Sequence, residues 1–534
     1  YGVLYFGGTN SGDNTFSGII SDTSGSSKFA IGKFGTGKWI LSGANTYEGN
    51  ALIANGTLSV PTIANANIPQ PLGIGPAFQL GVGGGGSNGT LQYTGAAAST
   101  DKQVQVGPNA LNAPAASSGG GIVNDGTGAL TFTNPIFNPA TTGVTGTRTL
   151  TLGGSYEDTA NTIQGVIQNN ATGGLVALSK TGASTWTLSV VNTYTGATTI
   201  SGGTLRVSGS GQLGAGTYGG AISNNGILRY SSSATQTLSG NMTGSGALIK
   251  DVGASNLTLS GNSNFSGGTS LNAGTITVNS STALGTGEVS MVAGTRLLVG
   301  VNNVTLANNI TLNGSATSGA LYSGDFAAGN VTNFTGIITL AATSNVSTWW
   351  NDKTLRLSGK ITGPGGLNFI RQTTSVGGRF FITGADNDYA GNTSVTGDSA
   401  PRFGYTGQAM LYLGATNALP VTTNLTLNNA DLYLNGQSQT LPSITGTGTF
   451  SIQNGSTTPA ALTLGSGDVS STLAGAILDN GIAVTNTSAT PTSVTGRVSL
   501  TKIGSGTLTL TAANTFTGDT VVEAGTLTLA DNAQ

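Results

Sequence analysis

The sequence predicts an all-β chain wound into a parallel β-helix with three faces, and three observations carry that expectation. First, apolar and hydroxyl residues alternate with period two. Leu508 and Leu510 interleave with Thr507, Thr509 and Thr511, which places the leucines on one side of a strand and the threonines on the other. Second, residues 508–529 hold three such strands joined by corners centred on Gly and Asn. The chain turns once over that stretch, so about 21 residues form one circuit of a coil. Third, the same text recurs at 33–60, 180–207, 250–278 and 502–529, with a degenerate copy from Phe380 (F-F-I-T-G-A-D-N-D-Y-A-G-N-T-S-V). The separations of Lys33, Lys180, Lys250 and Lys502 fall close to whole multiples of about 21 to 23 residues, as stacked circuits require.

Taken in order, the chain opens with a strand-like run at Val3–Phe6 and a second phrase, N-T-F-S-G-I-I-S-D, at 14–22. That phrase returns at Asn161 (N-T-I-Q-G-V-I-Q), Thr332 (T-N-F-T-G-I-I-T) and Ser471 (S-T-L-A-G-A-I-L-D). A strand leads into each lysine, through Phe29 and Ile31, Val176 and Leu178, or Val498 and Leu500. Leu367 and Phe369 stand in the same relation to Arg371. Small-residue turns follow, as at 72–75, 213–216 and 284–287, and then further strands at 89–93, 226–230 and 430–434. Residues 83–86, 117–121 and 134–142 read as loops budding from corners. No helix of ten or more residues is expected. The chain reads as one continuous solenoid of about five modules, at approximately 1–100, 101–235, 236–330, 331–430 and 431–534. Each strand pairs with the strand one circuit later, which satisfies the backbone without helices. About 25 circuits at roughly 4.8 Å each make a single elongated rod on the order of 120 Å. Asn and Gly tolerate the bends, so Asn45, Asn192 and Asn514 are expected to bridge corner backbone groups. Tyr47, Tyr194 and Phe516 are expected to cover those corners.

Composition narrows the function classes. Of 534 residues only 7% are charged, and 18 basic residues nearly balance 20 acidic ones. That leaves no field to attract nucleic acid or an anionic membrane. Gly is frequent, at 87 residues, without a triplet period, so collagen is excluded. Hydrophobic residues at 37%, alternating with Thr, Ser and Asn, are too patterned for disorder. Cys is absent, as suits a bacterial surface protein that crosses membranes unfolded. No apolar run is long enough for a membrane helix, so no span is expected in this chain. The chain begins at Tyr1 with no signal peptide, which reads as processed or incomplete.

The repeat, K-x-G-x-G-x-L-x-L-x-x-x-N-T-[YF]-x-G-x-T-x-[IV]-x-x-G-T-L-x-[VL], closely resembles the autotransporter-associated β-strand repeat of bacterial type V secreted proteins. The clear copies cover about a fifth of the chain. The resemblance implies a right-handed β-helix, secreted or displayed at the outer surface, acting as stalk, adhesin or self-associating matrix. It brings no catalytic residues. The chain lacks the terminal amphipathic strands of a translocating barrel; it ends Asp531-Asn532-Ala533-Gln534.

No catalytic residue, cofactor or metal site is expected. His is absent, which removes the commonest general base and metal ligand. Parallel β-helices also host polysaccharide lyases and pectin hydrolases, which need clustered Asp, Lys or Arg. The nearest carboxylate pair is Asp386 and Asp388, read as turn residues in the Asn-Thr corner rather than calcium ligands. Lys33, Lys180, Lys250 and Lys502 are read as solvated corners. Trp349 and Trp350 are neighbours on a strand, so one should point outward, where it could stack on a surface glycan. Neither chain end resembles a cap. Val3, Leu4, Tyr5, Leu527 and Leu529 are therefore candidate self-assembly ends, for copies stacked head to tail into a fibre or for a piece cut from a longer coil. Lateral association between the weakly charged walls is a further expectation. The sequence reads as a structural or adhesive surface protein, with a carbohydrate-binding or polysaccharide-processing β-helix as the alternative.

Overall fold

The structure, a computed structural model, describes residues 2–22, 28–82, 86–107, 117–134, 136–138, 146–170, 173–314, 319–324, 331–348, 353–371, 378–398, 408–483 and 492–530. Two compact units divide the chain, Tyr1–Gly267 and Gly268–Gln534. Both are built from short strands paired in parallel with the strand one circuit away. Among the described residues the only helical element is a single 3-10 turn at Gly214–Gly216. The fold is thus the parallel β-helix that the period-two alternation predicted.

In the first unit, one sheet runs from Gly2–Phe6 through Phe29–Lys33, Ala51–Ile53 and Ala77–Leu80 to Val166–Ile167. A second runs from Asn14–Phe16 to Met242–Thr243, and a third from Ala98–Thr100 to Ala247–Lys250. In the second unit, strands stack from Val304–Leu306 to Ala476–Leu478, from Thr275–Val278 to Ile444–Thr447 and from Thr269–Leu271 to Ile361–Thr362. Shorter stacks carry Thr520–Val522 and Thr526–Leu529.

Alternation sets the core. In Val176–Lys180 and Val498–Lys502 every second residue is buried. Register then aligns like with like: Trp186 pairs with Leu205, Leu205 with Leu228, and Leu228 with Leu248, all inside. Each such side chain contributes roughly 1.5–3 kcal/mol by leaving water. Leu508 and Leu510 are buried beneath partly exposed Thr507 and Thr509, as the repeat predicted.

Three features depart from the expectations. Circuits are elastic: the Thr94 hydroxyl bonds the Val60 carbonyl 34 residues back, whereas Lys33 reaches Asn55 over 22. Residues 117–121 are largely strand, not loop, within Ser118–Asn124, which pairs on both sides. Gly120 faces inward there, and a Cβ on it would collide with Leu80. The glycines mark close packing, not a turn. Within 134–142, Ile136–Asn138 is also strand, while residues 83–85, 135 and 139–145 lie outside the described residues. Finally, the second unit carries an antiparallel hairpin, Asn480–Ala483 with Thr492–Thr495, between strands of the coil. Asp479 anchors its base, accepting from the backbone N–H groups of Val498 and Thr517, both at 2.9 Å.

Candidate binding surface

The four repeat lysines are not solvated corners. Lys33, Lys180, Lys250 and Lys502 have no exposed surface. The Lys180 ammonium donates to the carbonyls of Thr181 (2.6 Å) and Gly182 (2.9 Å), and to Gly202 one circuit on (3.1 Å). Lys33 does the same with Phe34, Gly35 and Asn55, and Lys502 with Ile503, Gly504 and Ala524. The glycine of K-x-G explains the cage. Gly35, Gly182 and Gly504 adopt φ of 71°, 65° and 73°, a region open to Gly, and the carbonyls around them meet the ammonium. Lys250 donates instead to the Val252 carbonyl and Ser255 Oγ. Burial holds the Lys33 and Lys250 ammonium groups below the ordinary lysine range and takes Lys180 down to about 8. The signal was present in the sequence: a lysine at the inward phase of its strand, two residues before a glycine. Lys353 is likewise buried, its ammonium bonding the Gly324 carbonyl at 2.7 Å.

The corner asparagines behave as expected and also explain why two phrases travel together. Asn45, Asn192 and Asn514 each accept the backbone N–H of the isoleucine in the preceding phrase, Ile20, Ile167 and Ile477, at 2.8, 3.0 and 2.9 Å. Their amide groups donate to the carbonyls of Pro71, Val190 and Ala512. In the copy at 250–278 Ser263 takes this place and accepts from Met242 N–H. In the degenerate copy it is Asn387, which accepts from Ile361 N–H at 2.6 Å. Asp386 and Asp388 flank that corner residue. Asp386 is a turn residue at φ 60°, and Asp388 pairs with Lys360 at 2.6 Å. Tyr47, Tyr194 and Tyr389 are fully buried over these corners, and Phe516 is half-buried.

These inward lysines and corner asparagines are thus satisfied by the coil's own backbone. Among the described residues no group of three His, Cys, Asp or Glu side chains is placed to hold a metal. One outer cluster stacks Phe381, Tyr412 and Tyr433, with ring centroids 4.6 and 4.4 Å apart and Arg356 over Phe381. The rings spend their faces on one another and are buried. Beside them Asp431 accepts from Ser451 at 2.5 Å, and burial raises its carboxyl to about 6.

A second outer feature is open. A cleft of about 460 Å³ is lined by Val3, Ala30, Leu52 and Pro76, with Lys28, Glu48 and Asn50 among its polar lining. Leu52 pairs in register with Gly32, over which the rings of Tyr5 and Phe34 meet edge to face at 5.1 Å. Tyr5 is 64% exposed. Val3 and Tyr5 thus belong to an outer face, whereas Leu4, in register with buried Ile31, lies on the inward phase and is 41% exposed. Leu527 is half-buried and Leu529 is 57% exposed. Trp349 and Trp350 lie outside the described residues.

A family model for the passenger-associated-transport-repeat matches residues 32–60, 178–207, 252–278 and 500–529, the four copies that carry the lysine. The chain is 28% identical over 560 residues to the adhesin BmaC autotransporter of Brucella suis biovar 1 (strain 1330), covering 92% of this chain and 15% of that protein. No solved structure matches it. The chain is an autotransporter passenger-like repeat protein of the extracellular space or bacterial outer surface. Among the described residues no helix is long and apolar enough to cross a membrane.

Proposed function

We propose that this chain is an adhesin-like stretch of a surface passenger, a non-catalytic scaffold that holds small contact features on its outer wall. One observation carries the reading: the buried lysines and corner asparagines spend their polar groups on carbonyls and N–H groups of the coil itself. What remains outside is a wall of Thr, Ser and Asn, broken by isolated apolar clefts. The similarity to an adhesin over 92% of this chain supports it, although the chain spans only 15% of that relative's length. The test is attachment. Beads coated with the chain should bind cultured host cells or bacterial surfaces more than beads coated with an unrelated β-helix. Equal retention of both bead types overturns the adhesive reading.

Self-association is the second reading. The strands Gly2–Phe6 and Thr526–Leu529 each pair on one side only among the described residues. Leu4, Tyr5 and Leu529 are exposed on them. Open edges accept another strand, whether from further circuits of a longer chain or from a second copy. Sedimentation at rising concentration separates the two: growth into fibres, abolished by Leu4→Lys or Leu527→Lys, supports head-to-tail copies, and a persistent monomer removes them. Lateral contact between walls with so few charges should be insensitive to salt.

A further inference from the structure

We propose that Arg206 and Arg229, neighbours on the outer wall of the first unit, form a subsite for a sulfate ester on a glycan chain; the proposal rests on the adhesive reading above and names its ligand class. In Thr204–Gly209 and Ile227–Ser232 the inward positions are Leu205, Val207, Leu228 and Tyr230, all buried. The period of two therefore turns Arg206 and Arg229 outward, and they are register partners on adjacent strands. Strands one circuit apart lie about 4.8 Å from each other, so the two cations repel along the wall. Among the described residues one carboxylate pairs with them: Arg229 Nε donates to Asp251 Oδ2 at 2.6 Å. Arg206 Nε also donates to a residue one circuit on, but that residue is neutral, Ser231, with its Oγ at 3.2 Å.

The pair keeps donors in reserve. The terminal nitrogens of Arg206 make no hydrogen bond among the described residues. Thr187, its register partner on the strand before, is 5% exposed, and its Oγ1 is buried without a partner. Thr185, Thr204 and Ser208 add outward hydroxyls on the same strands. The Arg229 side chain is 42% exposed and that of Asp251 only 19%, so the face presents the cation more than the carboxylate. Such donors select an oxoanion. Its shape follows from the spacing: a planar carboxylate fills one guanidinium fork, whereas a tetrahedral group turns oxygens toward forks on two strands. Its charge follows from the groups present. Two guanidiniums against one carboxylate leave a single positive charge, which a sulfate ester neutralises. A phosphate monoester carries roughly −1.5 to −2 at pH 7 and overshoots. A phosphodiester has the right charge, but anionic lipid surfaces are held by clusters of about four to eight basic residues, and here the column passes from Thr187 through the two arginines to Ile249. The sugar that carries a sulfate brings hydroxyls of its own to the Thr and Ser around the pair.

The test uses the whole chain and calorimetry with short sulfated dextran. Unsubstituted dextran, oligogalacturonate (carboxylates alone) and phosphatidylglycerol vesicles are the other arms. We expect binding to the sulfated chain that is absent with unsubstituted dextran and weakens as salt rises. Arg206→Gln should weaken it about tenfold, as the loss of a charge-assisted contact predicts. Lys38→Gln, which removes an equal charge from another sheet of the same unit, should leave it unchanged. Asp251→Asn should tighten binding by removing the competing carboxylate, and a gain of affinity does not come from misfolding. No binding to the sulfated chain, equal binding to the carboxylate chain, or equal losses in Arg206→Gln and Lys38→Gln overturns the proposal. Vesicles bound in preference to the sulfated chain also overturn it and assign the pair to a lipid headgroup. The bead assay separates this proposal from the reading it rests on. Attachment to cells without any sulfate binding sinks the subsite and leaves the adhesive reading standing. Arg206-dependent sulfate binding by a chain whose beads attach no better than the unrelated β-helix does the reverse.

Discussion

At the scale of single residues, a buried ammonium without a carboxylate is the least expected feature. None of the ion pairs among the described residues includes Lys33, Lys180, Lys250 or Lys502. Three carbonyl bonds to Lys180 tie its own turn to the next circuit, and bonds to charged groups are the stronger kind. Lys180→Met keeps most of the volume and strands those carbonyls. We expect a loss of about 1–3 kcal/mol, seen as faster hydrogen exchange at 180–205. Unchanged or slower exchange would show that the desolvation cost outweighs the clasp. The alternation gives a sharper contrast. Leu508→Asp places a charge on a side chain that is 1% exposed and should cost several kcal/mol. Thr509→Asp, one residue away and facing out, should be nearly silent. Equal proteolytic sensitivity of the two variants would contradict the inside and outside assigned to this strand.

At the scale of elements, the corner asparagine is a bolt between two phrases one circuit apart. Asn192 accepts from Ile167 N–H and donates to the Val190 and Gln212 carbonyls. Asn192→Ala should therefore cost roughly 3 kcal/mol, by leaving buried backbone groups unpaired. Asn192→Ser should cost measurably less, because Ser263 already serves as the acceptor at its own corner. Equal losses in chemical denaturation would remove this bolt as the reason the phrases recur together. These bolts and the leucine columns were legible in the sequence because each lies within one repeat and obeys a fixed period. The lysine cage was less so: a charged side chain ordinarily marks solvent, and its burial depends on carbonyls of the following circuit. The strand Ser118–Asn124 was hidden because glycine usually marks a turn, and only Leu80, from another circuit, shows why the position admits no side chain. The hairpin Asn480–Ala483 with Thr492–Thr495 falls outside any copy of the repeat. The cleft was missed for a related reason. Val3, Ala30 and Leu52 are far apart in sequence and line it together only because strands of successive circuits pair.

At the scale of the whole molecule, charges sealed inside the coil make stability depend on pH in an unusual direction. In the first unit, burial takes both Lys180 and Lys102 from 10.5 to about 8, with Asp101 opposing the fall at Lys102. Their folded pKa lies below the unfolded one, so between about 8 and 10.5 the unfolded chain holds more protons. Stability must then rise with pH across that window, by up to about 3 kcal/mol per lysine. The buried tyrosines end the gain. Burial raises Tyr47 and Tyr194 well above the ordinary range and takes Tyr218 to about 12. A raised folded pKa means stability is lost as pH climbs past 10, while the unfolded chain ionises freely. In the second unit Asp431 follows the acid-side rule: with its carboxyl raised from 3.8 to about 6, the folded chain holds the extra proton, and stability falls as pH rises from 4 to 6. Hydrogen exchange resolved by segment, run from pH 4 to 11 and corrected for intrinsic rates, should show protection around Lys102 and Lys180 greatest near pH 10. Protection around Asp431 should decline between pH 4 and 6. Lys180→Met should flatten the alkaline rise near its own circuit and leave the Asp431 segment untouched. A rise of the same size in that variant would show that the buried ammonium is not its source.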